Sequence, residues 1–327
     1  MLPHPKIVWS PKYEVDIGPH VFPTVKYRRV HDRLLEKGIA VADDFVAPQP
    51  ASWESLGRVH DEEYLERIRT GSLSPAEIFR LELPFSDELR DAMVLCCGGT
   101  VMALRRALED GVCVHLGGGF HHAFADHGEG FCLLNDVGVG AAEILENTAG
   151  AASGAAPDED GSTEAPDEGR ARPVERVSVI DLDVHHGNGT AAIFADDDRV
   201  FTFSMHQERN YPPVKPPGDL DVPLPDGIED AEYLELLDES LPRALDDHDP
   251  DVALYLAGAD PYREDRLGGL SLTLEGLARR DERVLVSCRD AGVPVVVLPA
   301  GGYALRTEDT VSIHTRTVEI ALGLRSR

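Results

Sequence analysis

Short runs of β-branched and aliphatic residues recur along the chain, separated by longer amphipathic stretches. This alternation constrains the fold more than any other feature of the sequence. Each run is continuously apolar, a pattern typical of parallel strands that are buried on both faces. The runs are Val112–Leu116, Val177–Val184, Val200–Ser204, Val252–Leu256 and Val293–Leu298.

The stretches between these runs have the periodicity of helices. Candidates are Asp87–Glu109, Val137–Glu146, Ala231–Asp247 and Leu274–Ala291. The last has Thr273 as an N-cap and is closed by Gly292. The alternation of strands and helices predicts an α/β fold, a three-layer sandwich whose central, mostly parallel sheet is flanked by helices.

One segment breaks this pattern. Residues 149–173, AGAASGAAPDEDGSTEAPDEGRARP, have no periodicity and no large apolar side chains. Their Ala, Gly, Asp and Glu content predicts a disordered surface insertion between a helix and the next strand. No internal repeat is visible, so we expect residues 1–327 to form a single catalytic domain around one sheet.

The charge balance is strongly acidic, with 59 Asp and Glu against 31 Lys and Arg, for a net charge of -28. Clustered Lys and Arg, which neutralise phosphates, are missing, so we expect no direct nucleic-acid binding. Excess carboxylate can attract basic protein tails, but it more simply keeps a protein soluble in a salt-rich cytoplasm. We therefore expect a halophilic protein.

Membrane insertion and disulfide bonds are also disfavoured. No apolar run reaches the roughly 18 residues that span a bilayer, and the N-terminus lacks the apolar stretch of a signal peptide. We therefore expect no membrane partner and a cytoplasmic location. The 5 cysteines are an odd number without C-x-x-C spacing, so we expect reduced thiols.

The densest chemical signal is VSVIDLDVHHGNG, in which an apolar strand ends in Asp181, Asp183 and His185. A period of two places these side chains on one face. Ligands in open α/β sheets bind beyond the carboxyl ends of strands. Carboxylates beside an imidazole suit a divalent metal, although a structural salt link would give the same pattern.

Asp260 strengthens the metal interpretation. It follows the strand Val252–Leu256, where a second carboxylate would complete an Asp, His, Asp set. Three protein ligands leave one coordination position open, which distinguishes catalytic from structural zinc.

Two further strand ends carry groups suited to acid–base chemistry. Val112–Leu116 runs into a glycine run followed by His121 and His122, which are candidates for proton transfer near neutral pH. Val293–Leu298 runs into PAGGY, where Tyr303 follows a glycine pair. A tyrosine there can donate a hydrogen bond to a developing oxyanion.

Five motifs, GGGFHHA, GFCLLND, DLDVHHGNG, GAD followed by DRLGGLS, and PAGGY, occur in the order seen in zinc-dependent histone deacetylases. The chain resembles that family, within the arginase–deacetylase superfamily, over nearly its whole length except the acidic insertion. VHDEEYL around His60 also resembles the family, and KYRRV near Tyr27 points to its class IV and bacterial branch.

The resemblance implies roles for individual residues. Asp183, His185 and Asp260 match the ligands of one zinc ion, and His121 and His122 match the tandem catalytic histidines. Tyr303 matches the carbonyl-polarising tyrosine, and Gly130 and Phe131 match the acyl channel. Asp181 would bond the first histidine and, with Ser204 and nearby carbonyls, hold a potassium ion.

Asn188 occupies a position where some members of the family have an acid. It should orient His122 without adding charge. Because a carboxylate favours the imidazolium form, an amide partner should leave His122 with a lower pKa and favour a neutral base. Asn188→Asp is therefore expected to move the acid limb of the pH profile upward.

The predicted reaction is metal-dependent hydrolysis of an N-acyl amide. The simplest substrate is acetyl-lysine in a protein, and an acetylpolyamine or another small acylated amine is the alternative. An arginase-like ureohydrolase is disfavoured because Gly187 stands where its pattern, D-A-H-x-D, needs a carboxylate. A non-catalytic acyl-lysine binder is disfavoured because every candidate position is filled. The ligand set does not distinguish zinc from iron or cobalt.

Overall fold

A computed structural model describes residues 6–153 and 173–323. Within these residues, eight strands form one sheet in the order β2-β1-β3-β8-β7-β4-β5-β6. Every neighbouring pair is parallel. The strands are β1 (Ile7–Val8), β2 (Phe45–Val46), β3 (Val112–His115), β4 (Val177–Asp181), β5 (Val200–Gln207), β6 (Leu220–Leu224), β7 (Val252–Leu256) and β8 (Val295–Leu298).

Helices connect the strands and cover both faces of the sheet. The α-helices are α1 (Lys26–Glu36), α2 (Trp53–Leu56), α3 (Glu62–Thr70), α4 (Pro75–Leu81), α5 (Asp87–Asp110), α6 (Asp136–Ser153), α7 (Asn188–Ile193), α8 (Asp230–Pro242), α9 (Leu274–Ala291) and α10 (Thr307–Gly323). Short 3₁₀ turns lie at Pro11–Tyr13 and Ala42–Asp44, and a π-helical turn covers Arg243–Asp247.

The core divides into layers because successive side chains of a strand point to opposite faces. On β3, Val112 and Val114 join the apolar cluster formed with α1, α8, α9 and α10. Cys113, between them, joins the cluster formed with α5, α6 and α7. A third cluster connects helices α2 to α5 with the segment after β3. The predicted three-layer α/β sandwich is confirmed, and the sheet is parallel throughout.

Several boundaries agree with the sequence prediction. Strand Val252–Leu256 and helix Leu274–Ala291 have the predicted limits. The Thr273 side chain accepts a hydrogen bond from the Gly276 N–H at 3.0 Å. Gly292 ends this helix in the left-handed conformation, with φ of 71°. These caps explain why the boundaries could be located from sequence.

Other boundaries differ from the prediction. The strand predicted to reach Val184 ends at Asp181. The side chains of Asp181 and Asp183 accept hydrogen bonds from the N–H groups two residues ahead, at 3.1 and 3.0 Å. Such local bonds compete with the regular ladder of the sheet. The helix predicted over Ala231–Asp247 is interrupted at Pro242, which has no N–H to donate.

The insertion was predicted to begin at Ala149, but α6 continues to Ser153. Alanine, which dominates this stretch, is the residue with the highest helix propensity. Residues 154–172 of the predicted insertion lie outside the described residues.

The cysteines agree with the expectation from composition. All five cysteines are buried and unpaired, as expected for thiols. Among the residues that the structure describes, no helix combines the length and the hydropathy needed to cross a membrane.

Candidate active site

Four neighbouring strands at the centre of the sheet carry the candidate site residues. The order β3-β8-β7-β4 brings their carboxyl ends to one edge. Because all four are parallel, the segments that follow them converge there. These segments contain the tandem histidines after β3, Tyr303 after β8, Asp260 after β7, and Asp183 and His185 after β4.

Asp183, His185 and Asp260 form a buried cluster in which one donor atom of each lies within 4.8 Å of the others. His185 Nδ1 lies 3.0 Å from Asp183 Oδ1 and 3.5 Å from Asp260 Oδ2. Asp260 Oδ1 accepts a hydrogen bond from the Val184 N–H at 2.9 Å, which fixes the carboxylate against the β4 loop. The three side chains predicted as metal ligands therefore face one another.

The donor set fits a divalent cation. Asp260 Oδ2 is buried and has no hydrogen-bond partner within the described residues. Leaving an anionic oxygen unpaired in the protein interior is costly. Burial and the charge of Asp183 raise the pKa of Asp260, which indicates more negative charge than the protein side chains offset. A cation between the carboxylates would pair with this oxygen and would offset the excess negative charge.

His121 is held by Asp181. Its Nδ1 lies 2.6 Å from Asp181 Oδ2. Burial alone would lower the pKa of His121, but the charge and hydrogen bond of Asp181 raise it to about 9. His121 Nε2 lies 3.1 Å from His122 Nε2.

His122 has the opposite environment. Its Nδ1 lies 2.7 Å from Asn188 Oδ1. Burial and the charges of His121 and His185 hold the pKa of His122 well below its usual range. The pKa values of the two neighbouring histidines are therefore shifted in opposite directions.

Asn188 is itself oriented by Glu129, a residue that the sequence analysis did not select. Asn188 Nδ2 donates to Glu129 Oε1 at 2.6 Å, and the Tyr211 hydroxyl donates to the same oxygen at 3.1 Å. Burial would raise the pKa of Glu129, but hydrogen bonds from His127, Asn188 and Tyr211 lower it. A carboxylate only accepts hydrogen bonds, so Asn188 must turn its oxygen toward His122. His122 then carries its proton on Nδ1 and leaves Nε2 as the base.

Tyr303 lies across the cavity from the histidines. Its ring centroid is 6.4 Å from that of His185 and 5.8 Å from that of Phe131. The Tyr303 N–H donates to Asp265 at 2.6 Å, which fixes the loop. Burial and the charges of Asp183 and Asp260 raise the pKa of Tyr303 well above its usual range, so the phenol remains a hydrogen-bond donor.

Gly130 and Phe131, predicted to line the acyl channel, border a cavity of about 360 Å³. His122, His185 and Tyr303 line the same cavity. A β-carbon on Gly130 would lie 2.8 Å from His122 Cδ2 and 2.9 Å from Tyr211 Cε1. A larger residue at position 130 would therefore press on the ring of the candidate base.

Residues 20–152 and 167–318 match the family model described as a histone deacetylase domain. The chain belongs to the histone deacetylase family. Membership supports hydrolysis of the deacetylase type, in agreement with the arrangement of His122, Tyr303 and the cluster that contains His185.

Relatives of the chain include members of this family from eukaryotes. Histone deacetylase 2 of Arabidopsis thaliana is 30% identical over 318 residues, covering 91% of this chain and 74% of the relative. Histone deacetylase RPD3 of Saccharomyces cerevisiae is 27% identical, covering 90% and 67%. An uncharacterised protein of Picosynechococcus is 38% identical over 94% of this chain and 95% of its own length.

Two motifs shared with the histone deacetylase family make hydrogen bonds to the loop that contains His121 and His122. In GFCLLND, the Asp136 carboxylate accepts hydrogen bonds from the N–H groups of Gly119 and Phe120, at 3.1 and 2.7 Å. His60, in VHDEEYL, accepts from the Asn135 N–H at 3.1 Å, and its Nδ1 lies 2.9 Å from the Phe124 carbonyl oxygen. These contacts fix the loop between β3 and α6.

Gly187, where the arginase-like pattern needs a carboxylate, packs directly against the histidine–aspartate pair. A β-carbon at this position would overlap Asp181 Oδ2 and lie 3.2 Å from His121 Nδ1. A side chain here would displace Asp181 from His121. The geometry therefore disfavours a bridged two-metal site in this histone deacetylase fold.

Two buried cations were missed by the sequence analysis. Arg280, on α9, donates to the carbonyl oxygens of Leu182 and Gly258, at 3.2 and 2.7 Å. These carbonyls lie just before Asp183 and just before Asp260, so one guanidinium connects the loops that carry the two aspartates. Lys26, on α1, donates to the Gly301 carbonyl oxygen. Burial lowers the pKa of Lys26 to about 8, while the charges of Asp260 and Asp183 oppose the shift.

The sequence analysis missed Arg280, Lys26, Tyr211 and Glu129 because their contacts are with residues far away in the sequence. Arg280 and Lys26 lie on amphipathic helices, where a basic residue is ordinarily exposed. Tyr211 lies in the proline-rich segment RNYPPVKPPGD, whose contacts cannot be predicted from local pattern. Glu129 could have been found from its position in the sequence, because it directly precedes Gly130 and Phe131, which were predicted to line the acyl channel.

Proposed function

We propose that the protein hydrolyses N-acyl amides, with acetyl-lysine in proteins as its substrate. The observation that carries this proposal is the convergence of three groups on one cavity, namely His122, Tyr303 and the cluster that contains His185. The cavity volume of about 360 Å³ lies within the range of sites for small ligands.

Asp183, His185 and Asp260 would hold one zinc ion per chain. Two carboxylates and one neutral imidazole balance the charge of a divalent ion and leave a coordination position for substrate or water. A zinc ion held there supplies Lewis acidity to the amide carbonyl and to the attacking water.

His122 is the proposed general base. Asn188 Oδ1 accepts a hydrogen bond from the Nδ1–H of His122, so the lone pair of the imidazole is on Nε2. Nε2 is therefore the atom that takes a proton from water. Its low pKa keeps it neutral in the physiological range, and Glu129 fixes the orientation of Asn188. A base must be unprotonated and correctly oriented before it accepts a proton.

Tyr303 and His121 would serve the later stages of the reaction. The Tyr303 hydroxyl, kept protonated by burial, donates a hydrogen bond to the developing oxyanion. His121, whose pKa Asp181 raises, lies beside His122, with 3.1 Å between their Nε2 atoms. Proton return to the leaving amine then comes from the histidine pair.

The acyl carrier is the open part of the proposal. Glu82 and His20 line the cavity at its mouth, beside Tyr211. An acidic mouth suits a cationic carrier, which describes both a lysine-rich protein segment and a polyamine. An acetylpolyamine therefore remains the alternative substrate.

Potassium near Asp181 and Ser204 is a further proposal. The two residues are direct partners in the register of β4 and β5. Asp181 is also the partner of His121, so an ion here would act on the orientation of that pair. Adaptation to a salt-rich cytoplasm is proposed from the net charge of -28.

One assay panel tests the proposed reaction. The purified protein is stripped with a chelator, reloaded with zinc, and incubated at high salt with acetyl-lysine peptide, longer acyl-lysine peptides and acetylpolyamine. Release of acetate from the peptide only after reloading supports the proposal. A protein that carries zinc and is inert on every acyl amide would instead favour the non-catalytic binder.

A further inference from the structure

A second cluster of metal-binding side chains lies at the edge of the sheet. It consists of His186, His206 and Asp221, with one donor atom of each within 4.8 Å of the others. None of these residues belongs to the catalytic cluster. His186 follows the ligand His185 in sequence, but it contacts the edge strands instead of the catalytic carboxylates.

Sheet register brings the three residues together. Asp221, on edge strand β6, is paired with Ser204 of β5. His206 lies two residues beyond Ser204 and therefore on the same face of β5. His186 follows β4, the strand on the other side of β5. Strands β5 and β6 and the segment that follows β4 thus contribute one ligand each.

The distances between the side chains are compatible with a shared ion. His186 Nε2 lies 3.1 Å from Asp221 Oδ1. Two ligands on a tetrahedral zinc with bonds of about 2.0–2.2 Å are separated by about 3.3 Å. The imidazoles of His186 and His206 meet edge to face, with centroids 4.6 Å apart and planes at 82°. Neither ring therefore covers the other.

Outer contacts orient two of the ligands. His206 Nδ1 lies 3.0 Å from the Ser204 hydroxyl, which leaves Nε2 for a ligand. Asp221 Oδ2 accepts from the Gly218 N–H at 2.9 Å, which leaves Oδ1 beside His186. Metal-bound histidines and carboxylates are usually held by such hydrogen bonds on their second polar atom.

Burial and access also fit an ion site. His186 and His206 are buried, whereas the side chain of Asp221 is 28% exposed, so an ion can enter from solvent and keep a water ligand. Two imidazole nitrogens select a transition metal over potassium or magnesium, which prefer oxygen.

We propose that His186, His206 and Asp221 bind a second divalent transition-metal ion, of the zinc class, separate from the catalytic ion. Such an ion joins edge strand β6 to β5 and to the segment that contains His185. It also anchors the start of β6, which follows the loop that carries Tyr211 at the cavity mouth. The ion stabilises this side of the active site without contacting substrate.

The test counts ions in matched variants. Metal-free protein is dialysed against Zn²⁺ and the bound zinc is measured per chain. Asp221→Asn is the main variant, because the amide keeps the size of the side chain and one oxygen acceptor. His206→Gln is a second variant at another ligand, and Asp183→Asn removes a catalytic ligand instead.

We expect two zinc ions in the wild type and one in each single variant. The Asp183→Asn/Asp221→Asn double variant should bind none. The thermal midpoint of Asp183→Asn should rise with added Zn²⁺, because an ion that binds only the folded chain stabilises it, and this rise should vanish in the double variant.

A wild-type count of one ion that Asp221→Asn and His206→Gln leave unchanged would overturn the proposal. Loss of both ions in Asp183→Asn would also overturn it, since it would indicate one bridged two-metal centre. The count at Asp221 does not depend on catalysis, so it remains interpretable even if the proposed deacetylase activity fails.

Discussion

Asn188 donates a hydrogen bond to Glu129 at 2.6 Å while its amide oxygen faces His122 Nδ1 at 2.7 Å. The Glu129 carboxylate therefore contacts Asn188, and of these two side chains only Asn188 contacts His122 Nδ1. Its effect on His122 is to choose the tautomer and the orientation, while the neutral amide keeps negative charge from the imidazole.

The first prediction concerns the pH profile. A carboxylate at position 188 would stabilise the imidazolium form of His122 and raise its pKa. Protonation would then remove the base at a higher pH, so the acid limb of kcat/KM should move upward in Asn188→Asp. Because Glu129 would contact the new carboxylate, the two would share a proton and the shift should be small.

Removing the charge of Glu129 provides the control for this prediction. Asn188→Asp combined with Glu129→Gln should show the larger shift of the acid limb. Glu129→Gln alone should leave the pH of the acid limb near that of the wild type while kcat falls, because the glutamine no longer fixes Asn188. If the acid limb is the same in all three proteins, His122 is not the group that titrates.

The second prediction concerns the phenol of Tyr303. Tyr303→Phe removes one donor to the oxyanion and should lower kcat by about 100- to 1000-fold. Zinc content should be unchanged, because Tyr303 is not part of the ligand cluster. Steady-state kinetics and metal analysis on the same preparation check both statements. Near-normal turnover would remove Tyr303 from the mechanism.

The third prediction concerns Arg280, which is fully buried and connects the loops of the two aspartate ligands. Arg280→Met leaves the buried Asp281 without its cation, and breaking a buried pair typically costs about 3–5 kcal/mol. Urea unfolding should show this loss, and the zinc affinity should fall because both ligand loops lose their common donor.

Arg283 offers a matched control on the same helix. It pairs with Asp238 at the surface, with side chains 30% and 54% exposed. Exposed pairs contribute about 0–1 kcal/mol, so Arg283→Met should change stability and zinc affinity little. Equal losses in both variants would show that the position of Arg280 behind the ligand loops has no special effect.

The fourth prediction concerns the number of metal ions in the catalytic cluster. Gly187→Asp restores the carboxylate of the arginase-like pattern, but its β-carbon overlaps Asp181. We expect loss of deacetylase activity and no additional ion at this cluster, as counted in an Asp221→Asn background. Gly187→Ala should lose activity as well, since the β-carbon alone causes the overlap. An extra ion together with ureohydrolase activity would reverse the conclusion.

The layer architecture was predictable because its causes are local. Continuous apolar runs identified five strands, and the Thr273 cap and Gly292 defined α9 at both ends. The strands that were missed are short or irregular. β1 and β2 have two residues each, and β6 contains Pro223. Pairing with neighbours in the sheet, which no local pattern encodes, makes these segments strands.

The convergence of the candidate site residues was predictable where these residues directly follow a strand. Asp183, His185, Asp260 and Tyr303 all follow buried strands, and the parallel sheet brings them together. Glu129 and Arg280 act through contacts with residues far along the chain, at separations of 59 and 98 residues. Their roles depend on tertiary packing, and only the structure reveals them.

The most direct test of the central claim is acetate release from an acetyl-lysine peptide by the protein stripped of metal and then reloaded with two equivalents of zinc, enough for both candidate clusters. Tyr303→Phe, treated identically, is the control for contaminating deacetylases. The proposed mechanism predicts no release from stripped protein, recovery on reloading, and about 100- to 1000-fold less release from the variant. Release that is unaffected by the chelator, or equal in both proteins, would contradict it.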